Sequence, residues 1–471
     1  MRRALFSYVV LVLVFAGAIA AILAYGSRIE GGHAAAPPAA AAASGGAETP
    51  LATLLTQIVV VVVAARLCGR LSARIGQPKV IGEIVAGILL GPSLLGWIAP
   101  SLSASLFPPS SLGTLKLLAE VGVVLFMFVV GLEMDLESLR GAAHTALLVS
   151  HVSILLPYFL GVVLSLGLYG SLAPAGVPFI SFALFLGIAM SITAFPVLAR
   201  ILEERGLTRT PLGCTAITCA AVDDVTAWSV LAVVVAVGRS QGLASSALTI
   251  LMAAGFIVFM WTVVGPISRW IIRNSASASG APSKNVLAFV LLMLIGSALT
   301  TERIGIHALF GGFLLGVVMP RDADFRHALV QRLEEISAIL FLPLFFAFTG
   351  LRTQVGLLDS AGSWLMCLAV IGVATAGKVG GSMAAARLSG MGTLDAFSLG
   401  ALMNTRGLVE LIVLNVGYEL GILSPRIFAM LVLMALVTTF STAPLLALAD
   451  RLRGEKAVEN AGDFGPQARM S

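Results

Sequence analysis

Charge is what this sequence lacks most. Of its 471 residues only 11% are Asp, Glu, Lys or Arg, where a soluble domain carries about 25%, so a soluble globular protein is excluded. Cysteine is scarce as well. Cys68, Cys214, Cys219 and Cys367 all lie within or beside apolar segments, and none has zinc-ligand spacing, which argues against a disulfide or metal framework. There is no phosphate-binding loop, no nucleophile–base constellation and no stretch of soluble composition long enough for a catalytic or signalling domain. ATP-driven pumping, covalent catalysis and a receptor role therefore find no support. The formal charge of +5 speaks to orientation in a membrane rather than to nucleic acid.

Apolar side chains, in contrast, make up 58% of the chain, and the mean hydropathy is +1.00. Leu, Ala, Val and Gly recur in blocks of about 20 residues, the length a helix needs to cross roughly 30 Å of hydrocarbon. The expected fold class is an all-α polytopic membrane protein. Residues 1–25, with Arg2 and Arg3 before an apolar run, read as a signal peptide or signal anchor. Residues 26–50, rich in Ala, Pro, Gly and Ser, read as a disordered external linker. Thirteen further runs follow, at 51–69, 80–98, 113–132, 144–170, 179–200, 212–238, 246–272, 286–301, 306–319, 335–351, 362–386, 395–418 and 427–449, and 451–471 is a short tail.

If the first of these runs enters from outside, sixteen Lys and Arg fall on cytoplasmic connections and only Arg239, Arg303, Arg352 and Arg426 on the opposite side. This asymmetry places the C-terminus in the cytoplasm. The runs also repeat. The fifth and twelfth begin 216 residues apart, the sixth and thirteenth 215, and the fourth and eleventh 218. An offset of seven crossings makes the two copies antiparallel, and secondary transporters so built form their substrate site at the midplane from interrupted helices in matching positions.

Both matching helices carry an interruption. Ser191-Ile192-Thr193-Ala194-Phe195-Pro196 sets a proline inside the apolar fifth run, and Asn404-Thr405-Arg406-Gly407 sets polar residues and a glycine midway along the twelfth. Free backbone groups at this depth need a cavity or polar partners. A packing kink is the bland alternative for Pro196 alone; two matched breaks weigh against it.

Ionisable groups within a bilayer are costly and usually functional. The adjacent pair Asp223-Asp224 lies near the middle of the sixth run, and the two side chains leave the helix about 100° apart. Two anions in a low dielectric need a compensating cation, or one of them holds a proton, which is the requirement for a site that trades a proton for a cation. Lys378, inside the eleventh run among Gly and Ala, is the expected compensator. Arg406 and Glu410, four apart on one helix face, are expected to neutralise each other beside the twelfth-run break. Glu83, Glu120 and His307 read as local hydrogen-bonding or helix-end groups.

Five segments, KVIGEIVAGILLGPSLLG, FMFVVGLEMD, SITAFPVLARILEERGL, AAVDDVTAW and MNTRGLVELIVLNVG, occur in this order. Together they resemble the monovalent cation/proton antiporter superfamily, in the branch of bacterial Na+(K+)/H+ antiporters, Kef-type transporters and plant and fungal cation/H+ exchangers. The resemblance covers residues 51–450. It implies two inverted repeats with broken, crossing helices, a dimerisation part at 51–132 and 286–351, a core part at 144–238 and 362–449, and a linker helix at 246–272. It further implies that Asp224 carries the transported Na+ or K+ and the proton, that Asp223 faces Lys378, and that Thr193 completes the cation site. The Asp-Asp pair resembles electrogenic members and the NTRGLVELIVLN motif electroneutral ones, so stoichiometry stays open.

The function these features imply is secondary antiport of monovalent cations for protons, serving pH homeostasis. No cofactor and no nucleic-acid partner are implied; the partners are the ions, the lipid bilayer of the cell (inner) membrane and a second copy in a homodimer. A gated cation channel is the competing class, since the same acids could line a conduction route.

Overall fold

The computed structural model describes residues 50–134, 144–208, 210–239, 243–274, 283–320 and 322–463, with most of 14–27. The start of the signal-like segment, nearly all of the linker at 26–50 and the tail beyond 463 lie outside the described residues. Every regular element among the described residues is a helix. In chain order, from Pro50 on, those of eight or more residues are α1 (Pro50–Arg74), α2 (Lys79–Leu90), α3 (Pro109–Glu133), α4 (His144–Leu172), α5 (Phe179–Ser191), α6 (Phe195–Glu204), α7 (Pro211–Arg239), α8 (Leu243–Phe259) and α9 (Gly265–Asn274). They continue with α10 (Lys284–Ile304), α11 (Ala308–Val318), α12 (Ala323–Ile336), α13 (Leu342–Arg352), α14 (Ala361–Thr375), α15 (Gly381–Leu388), α16 (Thr393–Met403), α17 (Leu408–Glu419) and α18 (Pro425–Asp463). Single π-helical turns join α8 to α9, α12 to α13 and α14 to α15.

Among the described residues eleven helices are long and apolar enough to cross a membrane, twelve if the pair α16 and α17, bent by 43° at its break, counts as one. The run at 306–319 is the exception. Gly305 (φ 95°) and His307 (φ 83°) turn the chain just before it, leaving α11 with 11 residues, a rise of about 16 Å and roughly half the hydrocarbon thickness. The last helix also runs past residue 450, to Asp463.

The inverted repeat is visible in how helices touch. A Cβ on Gly131 of α3 would lie 2.2 Å from the Phe313 carbonyl of α11, and one on Gly316 of α11 2.2 Å from the Phe128 carbonyl of α3. Gly87 of α2 and Gly350 of α13 meet in the same way, each against the other helix's backbone. Under the seven-run offset these are mates, since α2 corresponds to α11 and α3 to α13. Small residues let backbones approach where lipid supplies no hydrophobic drive between helices.

Helix α5 is the most enclosed element, with eleven of its residues buried. It packs with α17 and the first half of α18 into the largest apolar cluster of the molecule. Outer helices behave oppositely. On α1 the side chains Leu51, Leu55, Val59, Val63, Leu67 and Leu71 follow one another every fourth residue and are all exposed, which for an apolar stripe of this length means lipid or protein against it.

Candidate functional site

The two interruptions meet. Between α5 and α6 the backbone of Ile192 and Ala194 is extended, and between α16 and α17 residues 404–407 are non-helical. The Ala194 amide donates to the Thr405 carbonyl at 2.9 Å, so one break satisfies the other. Gly407 permits the crossing: a Cβ there would stand 2.7 Å from Val197 Cγ2. Pro196 corrects the sequence reading. It is not inside a helix but in the first turn of α6, where a missing amide proton costs nothing; the break lies one turn earlier, at Ile192 to Ala194.

Each break leaves helix ends with unpaired carbonyls and amides. Arg406 answers the end of α5. Its guanidinium donates to the carbonyls of Ala189 (2.8 Å) and Met190 (2.6 Å) and to Glu410 Oε2 (3.1 Å), with both charged side chains fully enclosed. The expected neutralisation by Glu410 is present, and the capping of α5 is a second role that i, i+4 spacing could not reveal. Thr439 of α18 accepts from the Arg406 amide and donates to its carbonyl, both at 2.9 Å. Asn404 reaches the Thr438 carbonyl at 3.5 Å.

Beside the crossing sits the charged centre. Lys378 lies in the π-helical turn Ala376–Gly380, an insertion that re-aims a side chain within a helix. Its ammonium is fully buried and donates to Asp223 Oδ2 (3.1 Å) and Thr193 Oγ1 (2.6 Å), with Ser153 Oγ at 3.5 Å. Asp223 receives more. Ser150 Oγ donates to Oδ1 at 2.6 Å, and Ser153 and Thr193 hydroxyls reach Oδ2 at 2.8 and 2.9 Å. Thr193 Oγ1 also stands 3.0 Å from the Met403 carbonyl, tying this centre to the second break.

Asp224 differs sharply from its neighbour. It is equally buried, yet its Oδ1 has no hydrogen-bond partner among the described residues. Four residues on, Trp228 of the same helix face stacks on Phe313 (5.8 Å) and meets Phe310 edge-on (5.2 Å), both on α11. Asp223 thus looks toward α4 and Lys378, while Asp224 lies one turn before the tryptophan that packs on α11. Thr193, expected beside Asp224, hydrogen-bonds Asp223 and Lys378 instead. The serines of α4 were missed; their i, i+3 spacing is a signal only once α4 is known to face α7.

The lesser acids lie apart. Glu120 pairs with Lys116 at 3.3 Å, and Glu302 caps the amide of Ala308 at 2.8 Å beside His307. Lys116 and Arg352 both pair with Glu419 (3.1 and 2.9 Å), and Arg352 donates to Asn415, so α3 and α13 are linked to α17. Lys116, Glu120, His307, Asn415 and Glu419 rim a cleft whose other lining residues include Val123, Leu309, Phe345 and Ile412.

Two antiparallel repeats, crossed half-helices and a buried carboxylate–lysine centre define a secondary transporter of the inverted-repeat class. The chain belongs to the family described as sodium/hydrogen exchanger, transmembrane, which matches residues 58–448. It is 47% identical over 383 residues to the Na(+)/H(+) antiporter NhaS4 of Synechocystis sp., covering 81% of this chain and 93% of that protein. To the K(+)/H(+) antiporter 1 of Saccharomyces cerevisiae it is 36% identical, covering 79% of this chain and 45% of the yeast protein. It likewise spans about half the length of the plant cation/H(+) antiporters it matches, 46% in the case of the Arabidopsis thaliana cation/H(+) antiporter 17. The solved structure of the sodium proton antiporter MjNhaP1 from Methanocaldococcus jannaschii shares the fold, with a TM-score of 0.59 at 16% identity over 85% of this chain and 97% of that one.

Proposed function

We propose that this protein exchanges K+, Na+ or both for protons by alternating access, with one carboxylate, Asp224, as the shared site. The observation that carries the reading is the contrast within the Asp223-Asp224 pair: one acid is engaged by Lys378 and hydroxyls, the other is buried with an oxygen left free. A buried acid without a partner holds a proton or a cation, and the two ligands compete. The named relatives are Na+/H+ and K+/H+ antiporters, which supports this activity.

The motion assigned is that of a core (144–238 and 362–449) against a dimerisation part (51–132 and 286–351) joined by the helix at 246–272. Asp224 lies one turn before Trp228, which packs on α11, and a site so close to the seam between the two parts suits exposure to either side as the core moves. The reading further assigns the chain to the cell (inner) membrane as a homodimer with its C-terminus in the cytoplasm, the side supported by the excess of Lys and Arg on the connections read as cytoplasmic.

Cation-dependent proton release in proteoliposomes, compared across Li+, Na+, K+ and Rb+, tests the proposal. Lowering the pH protonates Asp224 and removes its anionic oxygen, so the half-saturating cation concentration rises toward acid pH. A value that stays flat from acid to alkaline pH, with only the maximal rate changing, means separate cation and proton sites and removes the reading. An imposed pH gradient must also drive cation uphill; a channel could only follow the cation's own gradient.

A further inference from the structure

Pro444 lies inside α18. A proline has no amide proton, so the carbonyl four residues before it, that of Phe440, is left without its helical donor. The donor it finds is 363 residues away in the chain: Gln77 Nε2 reaches the Phe440 oxygen at 3.3 Å. Gln77 is only 6% exposed, and the other end of its amide, Oε1, is buried with no hydrogen-bond partner among the described residues. One neutral hydrogen bond therefore holds the side chain, a contact weak enough to part. The backbone beneath it is fixed. Gly76 (φ 71°) turns the chain at the end of α1, the Gln77 amide donates to the Ser72 carbonyl at 2.9 Å, and Pro78 leads into α2.

This bond joins the two parts. Gln77 connects α1 to α2 in the part assigned to dimerisation, and Phe440 belongs to the core. Along the same seam Val80, Ile81 and Ile84 of α2 and Gly407, Leu436 and Thr439 of the core line a pocket. Thr439 adjoins Phe440 and holds both backbone groups of Arg406, so the bond reaches the turn of α18 that supports the helix crossing. From Gln77 the span Lys79–Ile98 crosses to the face where α3 begins and Lys116 pairs with Glu419. The two contacts thus stand at opposite ends of the seam. We propose that Gln77 and the Phe440 carbonyl form a latch that closes the seam at the α1–α2 end and parts when the core moves to open that end. The proposal rests on the antiport reading above and deepens it, because alternating access needs a closure at each end. Pro444 is what makes the carbonyl available. An opened seam admits water, which satisfies the parted amide and carbonyl alike, so release leaves no unpaired group buried.

The test measures how fast a water-soluble maleimide labels a cysteine placed in the seam of the purified full chain in detergent, read by mass spectrometry at that position so that the native cysteines do not count. Labelling of a buried thiol follows the population of the open form when reclosing is fast. In an Ile84→Cys background, Gln77→Ala is expected to raise the rate about five- to tenfold, the effect of one hydrogen bond lost from the closed form. Pro444→Ala, which gives the Phe440 carbonyl a donor in its own helix, is expected to raise it as well. The two together should go no further than the larger single effect, since both act on one carbonyl. Val123→Cys, in the cleft at the opposite end, should label no faster in either variant. Parent-rate labelling with Gln77→Ala, effects that multiply in the double variant, or equal acceleration at Val123→Cys, which would mean a general loosening, overturns the inference. If Ile84→Cys does not fold, Ala435→Cys, which lines the same pocket from α18, is read in the same way. A parent that exchanges no cation for protons overturns the antiport reading alone; the labelling needs no transport and still decides whether the latch exists.

Discussion

Asp223 and Asp224 show how far apart two neighbouring residues can stand in environment. A rotation of about 100° per residue sends the first into a nest of donors and leaves an oxygen of the second without one. Asp224→Asn is expected to abolish cation-dependent proton release while leaving a folded protein, because the amide fills the same space but carries no charge; exchange at the parent rate would take the residue out of the mechanism. Lys378→Ala is expected to lower stability by about 3–5 kcal/mol, since removing one partner leaves a buried charge uncompensated. A thermal melt in detergent that matches the parent would show the pair to be energetically idle. That an acid pair and a lysine occupied the membrane interior was legible in the sequence, as polar residues in apolar runs are rare. Which oxygen each donor serves was not legible, because Ser150 and Ser153 lie 73 and 70 residues from Asp223 and nothing local ties them to it.

At the level of elements, each interruption is completed by something outside its own helix. The breaks could be read from Thr193 to Pro196 and from Asn404 to Gly407. Their exact place could not, since Pro196 is tolerated in a first turn and merely follows the break. The capping of α5 is likewise non-local: Arg406 lies 217 and 216 residues from the carbonyls it serves. A planar fork suits two carbonyls and a carboxylate at once, which a single ammonium does not. Arg406→Lys should therefore keep the charge and still lose at least one charge-assisted hydrogen bond, worth about 1.5–3 kcal/mol. The expected outcome is a lower melting temperature together with slower exchange. Retention of both within error would mean that Glu410 and the α17 backbone hold the crossing unaided.

Across the whole molecule, antiport by alternating access requires contacts between the two parts that form and break. The cluster at Lys116, Arg352 and Glu419 is such a contact. Lys116 is on α3 and Arg352 on α13, both assigned to the dimerisation part, while Glu419 ends α17 in the core. The same cleft is also lined by the apolar Val123, Leu309, Phe345 and Ile412. Ion pairs that are a fifth to nearly a third exposed are individually worth about 1 kcal/mol or less, weak enough to part during a transport cycle. If the core moves as a body, Glu419 must leave Lys116 once per cycle. Tying the two together should then stop exchange without disturbing the Asp223–Lys378 centre. A Lys116→Cys/Glu419→Cys variant joined by a short bifunctional thiol reagent with a reducible spacer is expected to lose at least nine-tenths of its exchange. Reduction should restore the rate of the unlinked variant, and each single cysteine treated with the same reagent should be unaffected. Full exchange by the linked protein would mean that α3 and α17 travel together, and the division into core and dimerisation parts would have to be drawn elsewhere.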